Sequence, residues 1–290
     1  MNKFLVLIFG LIFNLSIFAQ EKVATNKIIA FYEQMTSKRP VFNADSVRRV
    51  IDNRPYFTMF KDNYFLGGFP VNKQPTGMNS DVKFQLSISQ RLTKSKLPFD
   101  TYLFIMYTQK AFWNVFQESM PMQDLNFNPG IGLAHLIIHE NKYIGKAMLL
   151  LEHESNGKDS IWSRSWNKIT LGASVLVNKN LELQLKTWIP IIDSDNNRDI
   201  LNYAGIFQFS ADFMMTNRNF SAAAIITKRQ GWNMNFNTVV ELSYKFRKKE
   251  NQYFFLQYYN GYAENLLNYN KFKSMLRLGF VIKPTDFSFF

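Results

Sequence analysis

From about Lys61 onward, apolar and polar residues alternate along the chain with a period of two. Val82, Phe84, Leu86 and Ile88 interleave with Lys83, Gln85, Ser87 and Ser89. Ile169, Leu171, Ala173, Val175 and Val177 interleave with Lys168, Thr170, Gly172 and Ser174. Leu181, Leu183 and Leu185 do so with Glu182, Gln184 and Lys186, and Leu276, Leu278, Phe280 and Ile282 with Arg277, Gly279 and Lys283. Side chains on a strand point to opposite faces in turn, so this pattern predicts strands with one apolar and one polar face. Twelve runs are predicted, near 61–69, 81–91, 101–113, 130–139, 146–153, 167–177, 181–189, 204–215, 219–227, 232–245, 252–262 and 273–283.

The connections sort by length. Those at 140–145, 178–180, 216–218 and 246–251 are short, and those at 70–80, 114–129, 154–166, 190–203 and 263–272 are longer. If the first strand runs outward from the periplasm, every long loop falls outside and every short turn inside. Only the connection at 228–231 is shorter than its side predicts. An even number of antiparallel strands with this asymmetry predicts an all-β fold, a 12-stranded transmembrane barrel with its apolar face toward lipid. A soluble sandwich would alternate too, so composition decides. Aromatic residues make up 16% of the chain, the chain ends in Phe290, and no apolar run after the first twenty residues is long enough for a spanning helix.

Residues 1–20 read as a secretory signal: Lys3, an apolar stretch from Phe4 to Phe13, then Ala19 before Gln20. Residues 21–55 lack the alternation and read as a periplasmic N-terminal segment, with a mild helical pattern at Lys27–Met35 and a capped turn at Asp45–Val50; residues 56–290 are the barrel. There is no cysteine, which excludes disulfides, thiolate chemistry and cysteine metal sites. The net charge is +12, with one dense basic cluster at Lys245, Arg247, Lys248 and Lys249. On an exported chain this suits lipid head groups or lipopolysaccharide phosphates and argues against nucleic acid.

Chemistry concentrates between the fifth and sixth runs, in His153-Glu154-Ser155-Asn156-Gly157 and Ser163-Arg164-Ser165-Trp166-Asn167. His153 and Ser155 stand at i and i+2 and share a face; Asn167 shares its face with Ile169 and Leu171. All three are expected at the outer rim, pointing toward lipid. A serine hydroxyl needs a base to become a nucleophile, His153 can supply it, and Asn167 can fix the imidazole tautomer. Gly157 lets the backbone turn to offer N–H groups to an oxyanion. His135 and His139 lie four apart on one predicted strand, ~13 Å along it, too far to share a metal.

Further motifs give these residues a context: Pro55-Tyr56-Phe57 with Asn63-Tyr64, Val82–Ser87, Tyr107-Thr108-Gln109-Lys110 with Trp113, Asn126-Phe127-Asn128-Pro129, Gly261-Tyr262 and Tyr269-Asn270. Together with the two segments above, they make the chain resemble the outer membrane phospholipase A family through most of the barrel. The resemblance implies a calcium-dependent hydrolase of phospholipid acyl esters, active as a homodimer, with His153, Ser155 and Asn167 as its triad. It implies Ca²⁺ held by loop residues after the serine, here Lys158, Asp159, Ser160 and Ser163, and by a serine of the neighbouring protomer, Ser119. The family's arginine after the glycine is Lys158 here, and its aspartate falls on Ser160; a one-residue shift would let the adjacent Asp159 supply the carboxylate. It also puts Gln109 at the dimer contact, where a glutamine on a lipid face would lack a partner in a single barrel. The alternative is a catalytically silent barrel, porin-like or binding lipopolysaccharide, for which Asp193, Asp195 and Asp199 in the 190–203 loop would be the informative residues.

Overall fold

The computed structural model describes residues 43–95, 97–192, 194–246 and 251–284. The expected leader at 1–20, the helical pattern at 27–35, Asp193, Arg247–Lys249 and Phe290 lie outside the described residues. Helix α1 (Ala44–Asp52) comes first, followed by β1 (Phe57–Met59), β2 (Asn63–Pro70), β3 (Asp81–Arg91), β4 (Tyr102–Trp113), β5 (Met122–His139), β6 (Lys142–Ser155), β7 (Ser165–Leu176) and β8 (Leu181–Ile191). A short helix α2 (Leu201–Ala204) precedes β9 (Phe207–Met214), β10 (Phe220–Lys228), β11 (Phe236–Lys245), β12 (Gln252–Gly261) and β13 (Lys273–Ile282). Strands β2 to β13 pair antiparallel with their neighbours in chain order, and β13 pairs with β2. The twelve strands therefore close on themselves, which removes the free edge that an open sheet would leave.

The expected first strand, near 61–69, is β2, and a short strand β1 that the pattern did not mark precedes it. β1 and β2 both lie along β3, but the register slips by two residues between Phe57↔Gln90 and Tyr64↔Gln85. The intervening chain is pinned where the Phe60 N–H reaches the Ser87 carbonyl and the Lys61 N–H reaches Ser87 Oγ. β5 begins at Met122, not near 130. Its start, Asp124 to Asn128, alternates with Asp124, Asn126 and Asn128 buried inside, but these short polar residues before Pro129 read from sequence as loop. The connection expected to be too short runs over 229–235, because β11 starts four residues later than the pattern suggests.

The faces are inverted relative to a water-soluble barrel. Phe65, Leu86, Ile105, Leu151, Leu171, Ile189, Leu278 and Phe280 are exposed on the outside. Lys83, Ser87, Thr108, Glu152, Thr170, Gln257 and Arg277 are buried inside. An apolar exterior this continuous suits lipid, where the strand ladders satisfy every backbone group and outward side chains need only be apolar.

Polar groups inside must pair with one another. Arg277 is wholly buried and donates to Asp81 at 2.7 and 2.9 Å and to Glu264 at 2.6 and 3.1 Å. Lys83 donates to Glu264 at 3.1 Å and to Gln257 at 2.8 Å, and Gln257 donates to Glu241 at 2.8 Å. Burial alone would raise the carboxyl of Glu264, a loop residue, but Arg277 and Lys83 bring it below the usual carboxylate range. A cavity of about 410 Å³ remains beside this network, lined in part by Lys61, Lys110, Lys186, Asp212 and Glu241.

Each mouth is filled. At the end bearing the short turns, α1 is capped by Asn43, whose side chain accepts from the Asp45 and Ser46 N–H groups. Its stripe of Ala44, Val47 and Ile51 is buried. Val47 and Ile51 pack against the inward-facing Tyr102, Phe104, Leu136 and Leu150. Arg91 ties the helix end down through the carbonyls of Ile51, Asp52 and Arg54. At the other end, the loops at 192–206 and 262–272 join over Trp166, Ile200, Leu266 and Tyr269. Asp124 and Asn126 accept from the Leu267 and Leu266 N–H groups at 2.8 and 3.1 Å.

Candidate active site

β6 and β7 carry the site at the long-loop end. Their register sets His153 directly across from Asn167 and Ser155 across from Ser165. His153 Nδ1 lies 2.8 Å from Asn167 Oδ1. From Gly145 toward the site, the odd residues of β6 point outward with those of β7, as exposed Leu149, Leu151 and Leu171 do; nearer the short turn a bulge turns Tyr143 inward. The even residues point inward and form a charged cluster: Lys168 donates to Glu154 at 2.9 Å and lies 3.7 Å from Glu152, while Trp166 Nε1 donates to Glu154 at 3.1 Å. One strand thus carries two unlike polar groups, an ion-paired one inside and a histidine–asparagine pair on the apolar exterior. Ser155 is two residues beyond His153 on that same exterior face, and β6 runs far enough to include it.

Two residues that sequence reasoning missed hold this arrangement. Asn128 Nδ2 donates to the His153 carbonyl at 2.9 Å, fixing the backbone below the imidazole. Asn156 is buried and clamps the following loop: Nδ2 donates to the Trp162 carbonyl at 2.9 Å, and Oδ1 accepts from the N–H groups of Arg164 at 2.9 Å and Lys158 at 3.4 Å. The only sequence signal for either is its place inside a quoted motif. Gly157 has φ +63, a left-handed conformation that suits glycine, and an added Cβ would lie 2.8 Å from the Phe127 ring.

The loop after Gly157 presents Asp159, Ser160 and Ser163 within five residues. Asp159 and Ser160 are exposed, and Ser163 is half-buried. Among the described residues there is no group of three His, Cys, Asp or Glu side chains that would hold a metal ion. What the loop offers is one carboxylate, two hydroxyls and main-chain carbonyls. That is a hard, all-oxygen donor set, which suits calcium in kind, with water able to complete its six to eight ligands. Lys158 can contribute only its carbonyl.

Ser119 is exposed in the neighbouring 114–121 loop with φ +62. Gln109 lies on the outer face of β4, two strands from β6, and is not unpartnered there: the Tyr107 hydroxyl donates to its Oε1 at 3.0 Å. The expectation of a lone glutamine overlooked that residues at i and i+2 on a strand share a face. His135 and His139 sit toward the opposite end of the barrel, His135 against the Phe99 carbonyl and His139 beside Glu140.

A family model described as phospholipase A1 matches residues 52–282. Phospholipase A1 of Salmonella typhimurium is 28% identical over 284 residues, covering 89% of this chain and 95% of its own. Phospholipase A1 of Escherichia coli K12 is 29% identical over 209 residues, 70% of this chain and 69% of its own. Among solved structures, outer membrane phospholipase A from Escherichia coli superposes with a TM-score of 0.69 at 24% identity, covering 80% of this chain and 93% of that one. A calcium-bound dimer of the Salmonella typhi outer membrane phospholipase does so with a TM-score of 0.68 at 25% identity, covering 78% and 91%.

Proposed function

The chain belongs to the phospholipase A1 family, and from that premise we propose that it hydrolyses phospholipid acyl esters in the bacterial outer membrane through Ser155, His153 and Asn167. The short-turn end faces the periplasm and the long-loop end faces outward, with residues 21–55 on the periplasmic side and the catalytic residues at the outer leaflet. The observation that carries this reading is the 2.8 Å contact between His153 and Asn167 on the lipid face, two residues from Ser155. A histidine–asparagine pair has no structural use on an apolar exterior, where desolvated polar groups are costly, but it stands where an acyl ester lies.

With Nδ1–H donated to Asn167 Oδ1, Nε2 is the nitrogen left to take the Ser155 proton. Oγ then attacks the ester carbonyl, and the Gly157 backbone offers its N–H toward the developing oxyanion. His153 returns the proton to the departing glycerol oxygen, leaving an acyl-serine. Water, deprotonated by the same imidazole, releases the fatty acid. Asn167 is neutral, so it orients the ring without balancing the imidazolium charge as an aspartate would.

Calcium would be held by Asp159, Ser160, Ser163 and the Lys158 carbonyl, completed by Ser119 of a second copy, and would supply positive charge to stabilise the oxyanion. The calcium-bound dimer of the similar Salmonella typhi phospholipase supports a homodimer as the active form. Chelation is expected to abolish hydrolysis of phospholipid by the refolded protein, and Ca²⁺ to restore it. Asp159→Asn removes the only carboxylate between Lys158 and Ser163 and should raise the half-activating calcium concentration by about tenfold or more. A calcium titration matching the wild type would exclude Asp159 as a ligand.

Gln109 is the proposed polar contact of that dimer. Its carbonyl oxygen is taken by Tyr107, so it is the amide N–H donors that meet a neighbour. Polar contacts in lipid are worth about 0.6–2 kcal/mol. Gln109→Ala should therefore shift the protein density at which cross-linking and activity appear together by about 3- to 30-fold. Full specific activity in a monomeric preparation would refute the coupling.

A further inference from the structure

The loop that joins Ser155 to Asn167 carries two large apolar side chains, Ile161 and Trp162, that are largely open to the surroundings among the described residues: they are 68% and 56% exposed. This is not a slack loop. Its backbone is held from below by Asn156 on the Trp162 carbonyl, by Trp162 N–H on Asp159 and by Ser163 N–H on Ser160. Asn196 of the 192–206 loop donates to the Ser160 carbonyl at 2.8 Å, which draws the tip toward β8 and away from the β4 face that bears Gln109. On β8, Ile191 lies in register with Asn167 and is 52% exposed, with Ile189 exposed below it. The outward apolar band thus continues up β7 and β8 to the rim and leads to the loop that bears Ile161 and Trp162.

We propose that Ile161 and Trp162 are an interfacial foot, seated among the head groups and upper acyl chains of the outer leaflet, that sets the depth at which Ser155 meets the ester. Trp has an apolar body and a polar N–H and is favoured at that boundary, and an adjacent isoleucine reaches the hydrocarbon. The rigid 157–163 turn transmits this seating to the loop between nucleophile and orienting residue. The role in hydrolysis rests on the catalytic reading above; the seating does not.

Two measurements decide it. In a Ser155→Ala background, in phosphatidylcholine vesicles whose acyl chains are brominated near the head group, the emission lost on Trp162→Phe should be quenched by bromine and insensitive to aqueous iodide. With Ser155 intact and calcium present, a double Ile161→Ser and Trp162→Ser variant that keeps heat-modifiable mobility should show about a tenfold higher apparent KM for long-chain phosphatidylcholine. Its kcat on a water-soluble short-chain ester should be unchanged. Quenching of Trp162 by iodide and not by bromine overturns the proposal. So does shielding from both quenchers only at densities where protomers cross-link, since a second copy would then be the occupant. If the unmodified protein hydrolyses no ester, the catalytic reading fails, while quenching still decides the seating.

Discussion

Ser155→Ala is expected to abolish phospholipid hydrolysis while leaving the barrel folded. The fall should be at least about 10⁴-fold in kcat, a loss of about 5 kcal/mol of transition-state stabilisation. Ser155 is half-buried at the end of β6, and its main chain is fixed by pairing with Ser165. Losing one oxygen there disturbs neither the lumenal ion network nor the His153–Asn167 contact. The folded state is checked by heat-modifiable mobility in gels. Near-normal turnover by this variant would end the serine-hydrolase reading. Asn167→Ala gives the graded companion, a decrease of only about 10- to 10²-fold, because it loses orientation of the ring and not the reacting atom. The graded pair separates a triad from a general loss of structure, which would reduce both alike.

The largest effect on stability is expected at the far side of the sheet. Arg277→Met should destabilise the barrel by about 3–5 kcal/mol at neutral pH, because Asp81 and Glu264 would keep their charges in a buried space with their main partner gone. The sign with pH is definite. In the intact protein the Glu264 carboxyl is held below the usual range. Its contribution is fully present above about pH 4.3 and is lost only as pH falls well below that value. In the methionine variant burial would prevail and the Glu264 carboxyl would take up a proton more readily, so the gap between variant and wild type should narrow as pH falls toward 4. Urea unfolding into detergent at pH 7 and pH 4 measures both. A constant gap would mean that the network contributes through packing and not through charge.

What could be read from the chain divides along a physical line. Alternation identified the strands wherever they cross lipid, because there one face must be apolar. The start of β5 was missed although Asp124-Leu125-Asn126-Phe127-Asn128 does alternate, because Pro129 follows it and its polar positions are the short Asp and Asn residues that favour loops. Alternation also left β1 unmarked, since three residues, Phe57 to Met59, are too few to show a period. The Ser155, His153 and Asn167 constellation was legible as spacing around a strand–loop–strand unit, and the register brings His153 and Asn167 together. The partners of Arg277 were not legible, since Asp81 and Glu264 meet it only once the barrel closes. Nor was the clamp by Asn156, whose carbonyl and N–H partners are main-chain groups that any sequence supplies. Asp195 and Asp199, which could mark a ligand-binding loop, instead pair with Arg198 and Tyr269 in the cover of the outer mouth.

The two filled mouths bear on the cell as an osmotic compartment. A solute entering from outside meets Leu266 and Tyr269, then the Arg277–Glu264–Lys83 charges, and at the inner end the Val47–Ile51 face of α1. These packed groups stand across the path enclosed by the twelve strands. A barrel obstructed in this way would let its copy number rise with less added solute leakage than an open pore of the same strand number. On the proposed reading, the ester-cleaving residues and the groups that fill the lumen occupy opposite faces of one wall, so obstruction of the lumen need not interfere with access to lipid.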